Sequence, residues 1–271
     1  MTNEYFQRFI SGCPSLQELV IVNLFEMTKL SISAPNIDKL SVFLLDEHLL
    51  NHPRPLLLYF PDLKNLYLEI NSWKLDIIDV SSVRNIYIKY LNFYMNHHDD
   101  LVLTINQALV GKFEGIEVFR LSRNASKEFL HSIQNLELVQ CKWKRIVLEV
   151  QDFCNNCVLG LYHLMKSLAY LEELIIYTTE DFKASRGLLR IYFPPPPYVT
   201  PQLKTVTLHG YAKSWKSQVR LVELLLKRAA ALDKLIIVPI NHRLKEEEQL
   251  EFVKHLSRSR RASPTARVIF S

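Results

Sequence analysis

Polar and apolar positions recur along the chain in one short phrase: proline, polar, apolar, two polar, apolar, any residue, apolar. It reads PSLQELVI from Pro14, PNIDKLSV from Pro35, PDLKNLYL from Pro61 and PQLKTVTL from Pro201. Copies without the proline begin at Met27, Val83, Ile116, Ile133, Leu171 and Leu232. In a chain that is 48% hydrophobic, the apolar triple alone arises by chance at about 0.11 per position and proves little. The prolines decide the matter. Four of only 12 open the same eight-residue phrase, polar positions included.

The last two apolar residues of the phrase alternate as they do on a strand, and the first sits in the turn leading into it, so all three point into one core. A proline just ahead occupies a position outside the ladder, where no amide donor is needed. This is the L-x-x-L-x-L pattern of a leucine-rich repeat strand. Successive phrases lie about 10 to nearly 40 residues apart, an uneven spacing for this class. The expected fold is therefore α/β, an irregular leucine-rich-repeat solenoid with a parallel concave sheet, some returns closed by helices and others by bare loops.

Four helices and a last strand can be placed. Phe6, Phe9 and Ile10 share a helical face that Asn3 can cap and Gly12 can end. Leu161, Leu164, Met165 and Leu168 mark a second helix, and Val222, Leu225, Leu226 and Ala229 a third over Gln218–Ala231. A fourth spans about Lys245 to Leu256, ahead of a terminal strand at Arg267–Phe270.

The residue between the last two apolar positions faces the concave side, the usual binding surface of a solenoid. Down the repeats it is Val20, Ser41, Tyr67, Tyr87, Arg120, Glu137, Ile175, Thr207 and Ile236. Tyr67, Tyr87, Arg120 and Glu137 are the candidate partner-binding residues, because Tyr and Arg supply large area and directional hydrogen bonds at interfaces. A purely structural ladder of cross-strand pairs explains the same residues equally well. Either way the register is fixed: Tyr67 beside Tyr87, Glu69 beside Lys89, and Arg120 beside Glu137.

Composition narrows the chemistry. Only 6 glycines occur, about 2% against a usual 7%, which leaves little for a phosphate loop, a dinucleotide turn or a nucleophile elbow. No spacing ties a Ser or Cys to a His and an acid, so neither an enzyme nor a cofactor is expected. The net charge of +5 sits mainly in Lys254, Arg258, Arg260, Arg261 and Arg267, which read as a solvated edge, with a nuclear-import or RNA-binding patch as the sharper alternative. Four scattered cysteines, no secretory start and no apolar run of membrane-spanning length point to the cytoplasm or nucleus.

Two stretches resemble a known family. FISGCPSLQELVI is similar to the opening repeat of plant F-box proteins of the leucine-rich-repeat type. PQLKTVTLHGY, RLVELLLKRAAALDKLIIV and RASPTARVIF resemble the FBD domain that closes many of them. The resemblance implies a leucine-rich-repeat region over residues 1–193, a proline-rich linker over 194–200 and an FBD-like α/β unit over 201–271. It also implies a substrate-recognition arm of a ubiquitin ligase with an unknown protein substrate. Docking to the cullin-ligase adaptor belongs to an F-box, which the repeats starting at Met1 do not include, and is expected only if an F-box is present upstream. A truncated family copy without ligase function is the corresponding alternative.

Three local motifs have competing explanations. Cys154 and Cys157 have half-zinc-site spacing, which Cys141 and His163 could complete, but free cysteine also packs as a small hydrophobe. His97, His98, Asp99 and Asp100 are four consecutive potential ligands that a regular element cannot aim at one ion, so they read as a solvated loop. Pro194–Tyr198 contains a P-P-x-Y match of the kind WW domains read, or is a stiff linker.

Overall fold

A computed structural model describes residues 3–22, 30–33, 36–44, 54–60, 62–70, 73–79, 82–90, 115–133, 141–150, 155–178, 202–210, 215–238 and 246–271. The chain is α/β and divides into two compact units, Met1–Trp143 and Lys144–Ser271. The first contains α1 (Asn3–Ser11), β1 (Glu18–Val22), β2 (Leu30–Ser33), β3 (Lys39–Leu44), β4 (Arg54–Tyr59), β5 (Asn65–Ile70), β6 (Trp73–Asp79), β7 (Asn85–Tyr90), β8 (Val118–Leu121) and α2 (Arg123–Ser132). The second contains β9 (Arg145–Val150), α3 (Asn155–Ser167), β10 (Glu173–Thr178), β11 (Thr205–His209), α4 (Trp215–Arg228), β12 (Lys234–Val238), α5 (Glu246–Arg258) and β13 (Arg267–Phe270).

In the first unit β1, β3, β5, β7 and β8 pair in that order, all parallel. In the second, β9 to β13 pair in sequence order, again all parallel. Each step between neighbours except the last, β12 to β13, is made in the same way. A single carbonyl just before one strand accepts two successive amides from the next: Gln17 O takes Asp38 N at 2.9 Å and Lys39 N at 3.1 Å, and Asp38 O takes Lys64 N and Asn65 N at 2.9 Å each. The arrangement recurs at Lys64, Arg84, Lys144, Glu172 and Lys204. Adjacent strands therefore start level, and in a period-two element level starts put equivalent residues on the same face.

The apolar positions of the phrase form the core. Leu40, Leu66, Ile86 and Phe119 make one buried row, and Val42, Leu68, Ile88 and Leu121 the next. In the second unit Ile146, Leu174, Val206 and Leu235 correspond to the first row, and Leu148, Ile176, Leu208 and Ile237 to the second. Each such side chain contributes roughly 1.5 to 3 kcal/mol when fully buried. The turn residue that opens the phrase is buried too, at Ile37, Leu63, Val83, Ile116, Leu171, Leu203 and Leu232.

The returns depart from expectation. The phrase at Met27 leads into β2, which belongs to a separate parallel sheet of order β2-β4-β6. The first three returns thus contain strands where helices or bare loops were expected. Of the phrase at Ile133 only its first residue is described: Ile133 is the C-cap of α2, in right-handed helical conformation, and the rest of the phrase lies outside the described residues. The next repeat strand among the described residues is β9, whose lead-in residue is the fully buried Trp143. Trp143 stacks on Phe119 with centroids 4.3 Å apart, and Phe119 meets Phe129 of α2 edge-on at 5.3 Å.

Helices α3, α4 and α5 lie close to the expected ranges and bury the expected faces, including Leu161, Leu164 and Met165 on α3, and Val222, Leu225 and Leu226 on α4. On α1, Phe6 and Ile10 are buried but Phe9 is exposed. At 100° per residue Phe9 lies about 80° from the centre of the Phe6–Ile10 face, on the side of the exposed Tyr5. In α5 the acidic residues Glu246–Glu248 fall at the N-terminus and Arg258 at the C-terminus, matching the helix dipole. Strand β10 pairs directly with β11, the first strand of the stretch that resembles an FBD domain.

Candidate functional site

Alternation along the first-unit strands leaves one row of outward residues in register: Val20, Ser41, Tyr67, Tyr87 and Arg120. Two residues further on, Val22, Phe43, Glu69 and Lys89 form a second row. Tyr67 and Tyr87 are neighbours on one face, as their phrases require, and so are Glu69 and Lys89. Tyr87 has Arg120 on its other side. Glu137 lies outside the described residues, so its pairing with Arg120 is not placed.

The aromatic side chains form a continuous ladder. The rings of Phe43 and Tyr67 are 5.1 Å apart, and those of Tyr67 and Tyr87 meet edge-to-face at 4.9 Å. Arg120 ends the run, its guanidinium carbon 4.7 Å above the Tyr87 ring. Such aromatic pairs contribute about 0.5–1.5 kcal/mol beyond their buried area, and a partly exposed cation–π contact about 0.5–1 kcal/mol. Phe43 is absent from the sequence-derived candidates because it sits at the next outward position, which the six-residue pattern does not cover.

Glu69 is the electrostatic centre of this face. It is only 8% exposed, and both carboxylate oxygens are occupied: the Tyr67 hydroxyl donates to Oε2 at 2.7 Å and the Lys89 ammonium to Oε1 at 2.9 Å. Burial, then the hydrogen bond and negative charge of Glu69, push the Tyr67 phenol well above its ordinary range. At the strand starts, Lys39 faces Glu18 at 3.9 Å, and Asn85 donates to Asn65 at 2.8 Å. Below them lies an open cleft of about 600 Å³ whose charges are mixed, with Asp38 and Asp62 opposite Lys64 and Arg84.

The corresponding outward row of the second unit is different in kind. It consists of Val147, Ile175, Thr207, Ile236 and Ile269, almost wholly β-branched and aliphatic. In the row beyond it, Tyr177 and His209 stack face to face at 4.4 Å with their planes 8° apart, and burial lowers the His209 pKa. This pair, too, falls one outward position past the repeat phrase.

The remaining candidates do not assemble into a site. Cys141 and Cys157 are both buried, Cys154 lies outside the described residues, and no metal-binding group of three or more His, Cys, Asp or Glu occurs among the described residues. His163 is held below its ordinary pKa by burial and by Lys166. His97–Asp100 and Pro194–Tyr198 lie outside the described residues. Part of the basic tail is engaged internally: Arg267 reaches Asp233 at 3.1 Å, and Arg261 donates to the Ala266 carbonyl at 2.6 Å. Among the described residues no helix is long and apolar enough to cross a membrane. No protein-family model matches the chain, and comparison with curated proteins finds no match.

Proposed function

We propose that this chain is a non-catalytic protein-interaction module, the substrate-recognition arm of a leucine-rich-repeat protein of the plant F-box/FBD type, and that Phe43, Tyr67, Tyr87 and Arg120 make the principal contacts with its protein partner. One observation carries the reading. Large aromatic and guanidinium side chains stand side by side on the outward face of a sheet whose core rows are apolar and buried. Rigid aromatic residues bind at low entropic cost, since the ladder already fixes their rotamers. Ligase activity follows only where an F-box is joined to the chain.

The competing nucleic-acid reading rests on Lys254, Arg258 and Arg260, which are exposed at the end of the second unit. The two readings separate in one experiment: quantitative affinity purification from plant cells, comparing the chain with Tyr87→Ala/Arg120→Glu and with Lys254→Glu/Arg258→Glu. The ladder variant is expected to lose its protein partners while the tail variant keeps them. An unchanged set of partners with the ladder variant refutes the proposal.

A further inference from the structure

We propose that the open edge of β13 in one copy of this chain pairs with the open edge of β1 in a second copy, joining copies head to tail through parallel strands. The inference does not depend on the function proposed above.

Both edges are open and unguarded. Among the described residues β1 pairs only with β3 and β13 only with β12, at opposite ends of the strand order. Lys39 N donates to Gln17 O, so by alternation the amides of Glu18, Val20 and Val22 turn away from β3. Arg267 N and Ser271 N donate to Asp233 O and Ile237 O, so those of Val268 and Phe270 turn away from β12. Lysine or proline ordinarily blunts such an edge, and neither ELVIV nor RVIF contains either. Val20 and Val22 on one strand, and Ile269 and Phe270 on the other, are exposed. The helix ahead of each edge repeats the pattern, with Tyr5 and Phe9 exposed on α1 and Leu250 and Val253 on α5. These four elements hold eight of the ten exposed large apolar side chains among the described residues, a concentration that marks an interface rather than random surface scatter.

Charge selects which edges meet. Each strand carries one charge, at its first position: Glu18 on β1 and Arg267 on β13. Continuing the level register from β13 into β1 sets Arg267 beside Glu18, Val268 beside Leu19, Ile269 beside Val20 and Phe270 beside Ile21. Both charged side chains are more than half exposed where they stand, Arg267 reaching Asp233 and Glu18 facing Lys39, so the new pair links two existing ones. A two-fold pairing of β1 with β1, or of β13 with β13, would set each charge against an apolar residue or its own like. Ala266 O, which would receive the Glu18 amide, accepts from Arg261 at 2.6 Å and keeps a second lone pair for it. In the joined sheet α1 follows α5 as α5 follows α4, which it meets through His255 and Glu223. Such a heterologous contact leaves a free edge on each copy, so it propagates.

The test is sedimentation equilibrium of the full chain over about 5–500 µM, since a single strand edge is smaller than a standard interface and binds weakly. The parent is expected to gain average mass beyond the dimer. Val20→Pro removes an open-side amide of β1 and Phe270→Pro one of β13, and neither removes a donor to β3 or β12. Each variant, first shown to be folded by circular dichroism, should stay at the protomer mass alone. Their equimolar mixture should form a one-to-one dimer and stop there, because one intact edge of each kind remains. Glu18→Arg and Arg267→Glu leave the backbone alone and decide the matter where a proline variant unfolds: each should weaken association about fivefold, and mixing the two should restore it. A parent that stays at the protomer mass or stops at a dimer overturns the proposal. So does a folded proline variant that associates by itself, or a mixture, of proline or of charge variants, no heavier than its components.

Discussion

Substituting Gly210 by alanine tests how tightly the ends of β10, β11 and β12 are joined. Gly210 follows β11 with φ +99°, a backbone conformation that L-residues rarely adopt, and its amide donates to the Val238 carbonyl at 2.9 Å. A Cβ built there falls well inside contact distance of both the hydroxyl and the carbonyl oxygen of Thr178, and 3.0 Å from the Thr178 carbonyl carbon. The positive φ costs an alanine roughly 1–2 kcal/mol. Overpacking against backbone adds about 1–3 kcal/mol, because a carbonyl held in a sheet cannot rotate away as a side chain would. Together these give about 2–5 kcal/mol, a fall in melting temperature on the order of 10 °C for a unit of this size. Differential scanning calorimetry measures it, with Gly12→Ala as the control. A Cβ at Gly12 meets only Phe9 O at 3.4 Å and Arg8 O at 3.5 Å, ordinary contacts, so that variant should stay within about 1 kcal/mol of the parent. Adding Thr178→Ala to Gly210→Ala removes the hydroxyl contact but not the carbonyl, so recovery should be partial. A Gly210→Ala protein as stable as the parent, or one fully rescued by Thr178→Ala, refutes the reasoning.

Two further predictions concern titration. The raised Tyr67 phenol keeps its proton in the folded state after an unfolded tyrosine has lost it, so its contribution to stability is complete below about pH 10 and declines as pH rises above that. Ultraviolet titration should show one tyrosine in the parent that ionises only on alkaline unfolding, and Glu69→Gln should bring that ionisation to lower pH. Glu223 of α4 accepts from His255 of α5 at 2.8 Å and from Lys227 at 3.3 Å; burial alone would raise its carboxyl, but these two partners outweigh burial and lower it. Its contribution is therefore present above about pH 4.5 and lost as pH falls through the folded-state value, so Glu223→Gln should lower stability at pH 6 and flatten the acid limb of a stability–pH curve measured by urea unfolding.

Repeat strands were legible where the phrase itself supplies the physics. In β5 and β7 the sequence specifies three core positions and hence the register, which is why Tyr67 and Tyr87 could be paired from residue order alone. The second sheet was missed although β6 carries a period-two signal, with Trp73, Leu75 and Ile77 alternating with Lys74 and Asp76. Its seven residues contain no repeat phrase, and short apolar runs do not distinguish a strand from a buried helical turn. At Ile133 the first apolar position of the phrase coincides with the C-cap of α2, whose buried face includes Phe129 and Leu130, and the rest of that phrase lies outside the described residues. The candidate site was legible only as far as the phrase extends. Phe43, Tyr177 and His209 sit one outward position later, where the pattern imposes no constraint and any side chain satisfies it.

That lack of constraint gives the face its significance. Both units use the same kind of strand start and the same apolar core rows, so the architecture places the same demand on the outward position in each. In the second unit the position is filled by Val147, Ile175, Thr207, Ile236 and Ile269, residues whose β-branching suits a pleated surface and needs no further explanation. In the first, the same position holds Val20 at the edge strand and then Ser41, Tyr67, Tyr87 and Arg120. Cross-strand contacts supply some return, but a ladder that merely stabilised the sheet could be built from valine and isoleucine at less cost in side-chain entropy and without burying the Glu69 carboxylate. The aromatic, polar and charged side chains at these positions, where valine or isoleucine would serve the sheet, are the ground on which this face, and not its second-unit counterpart, is proposed for recognition.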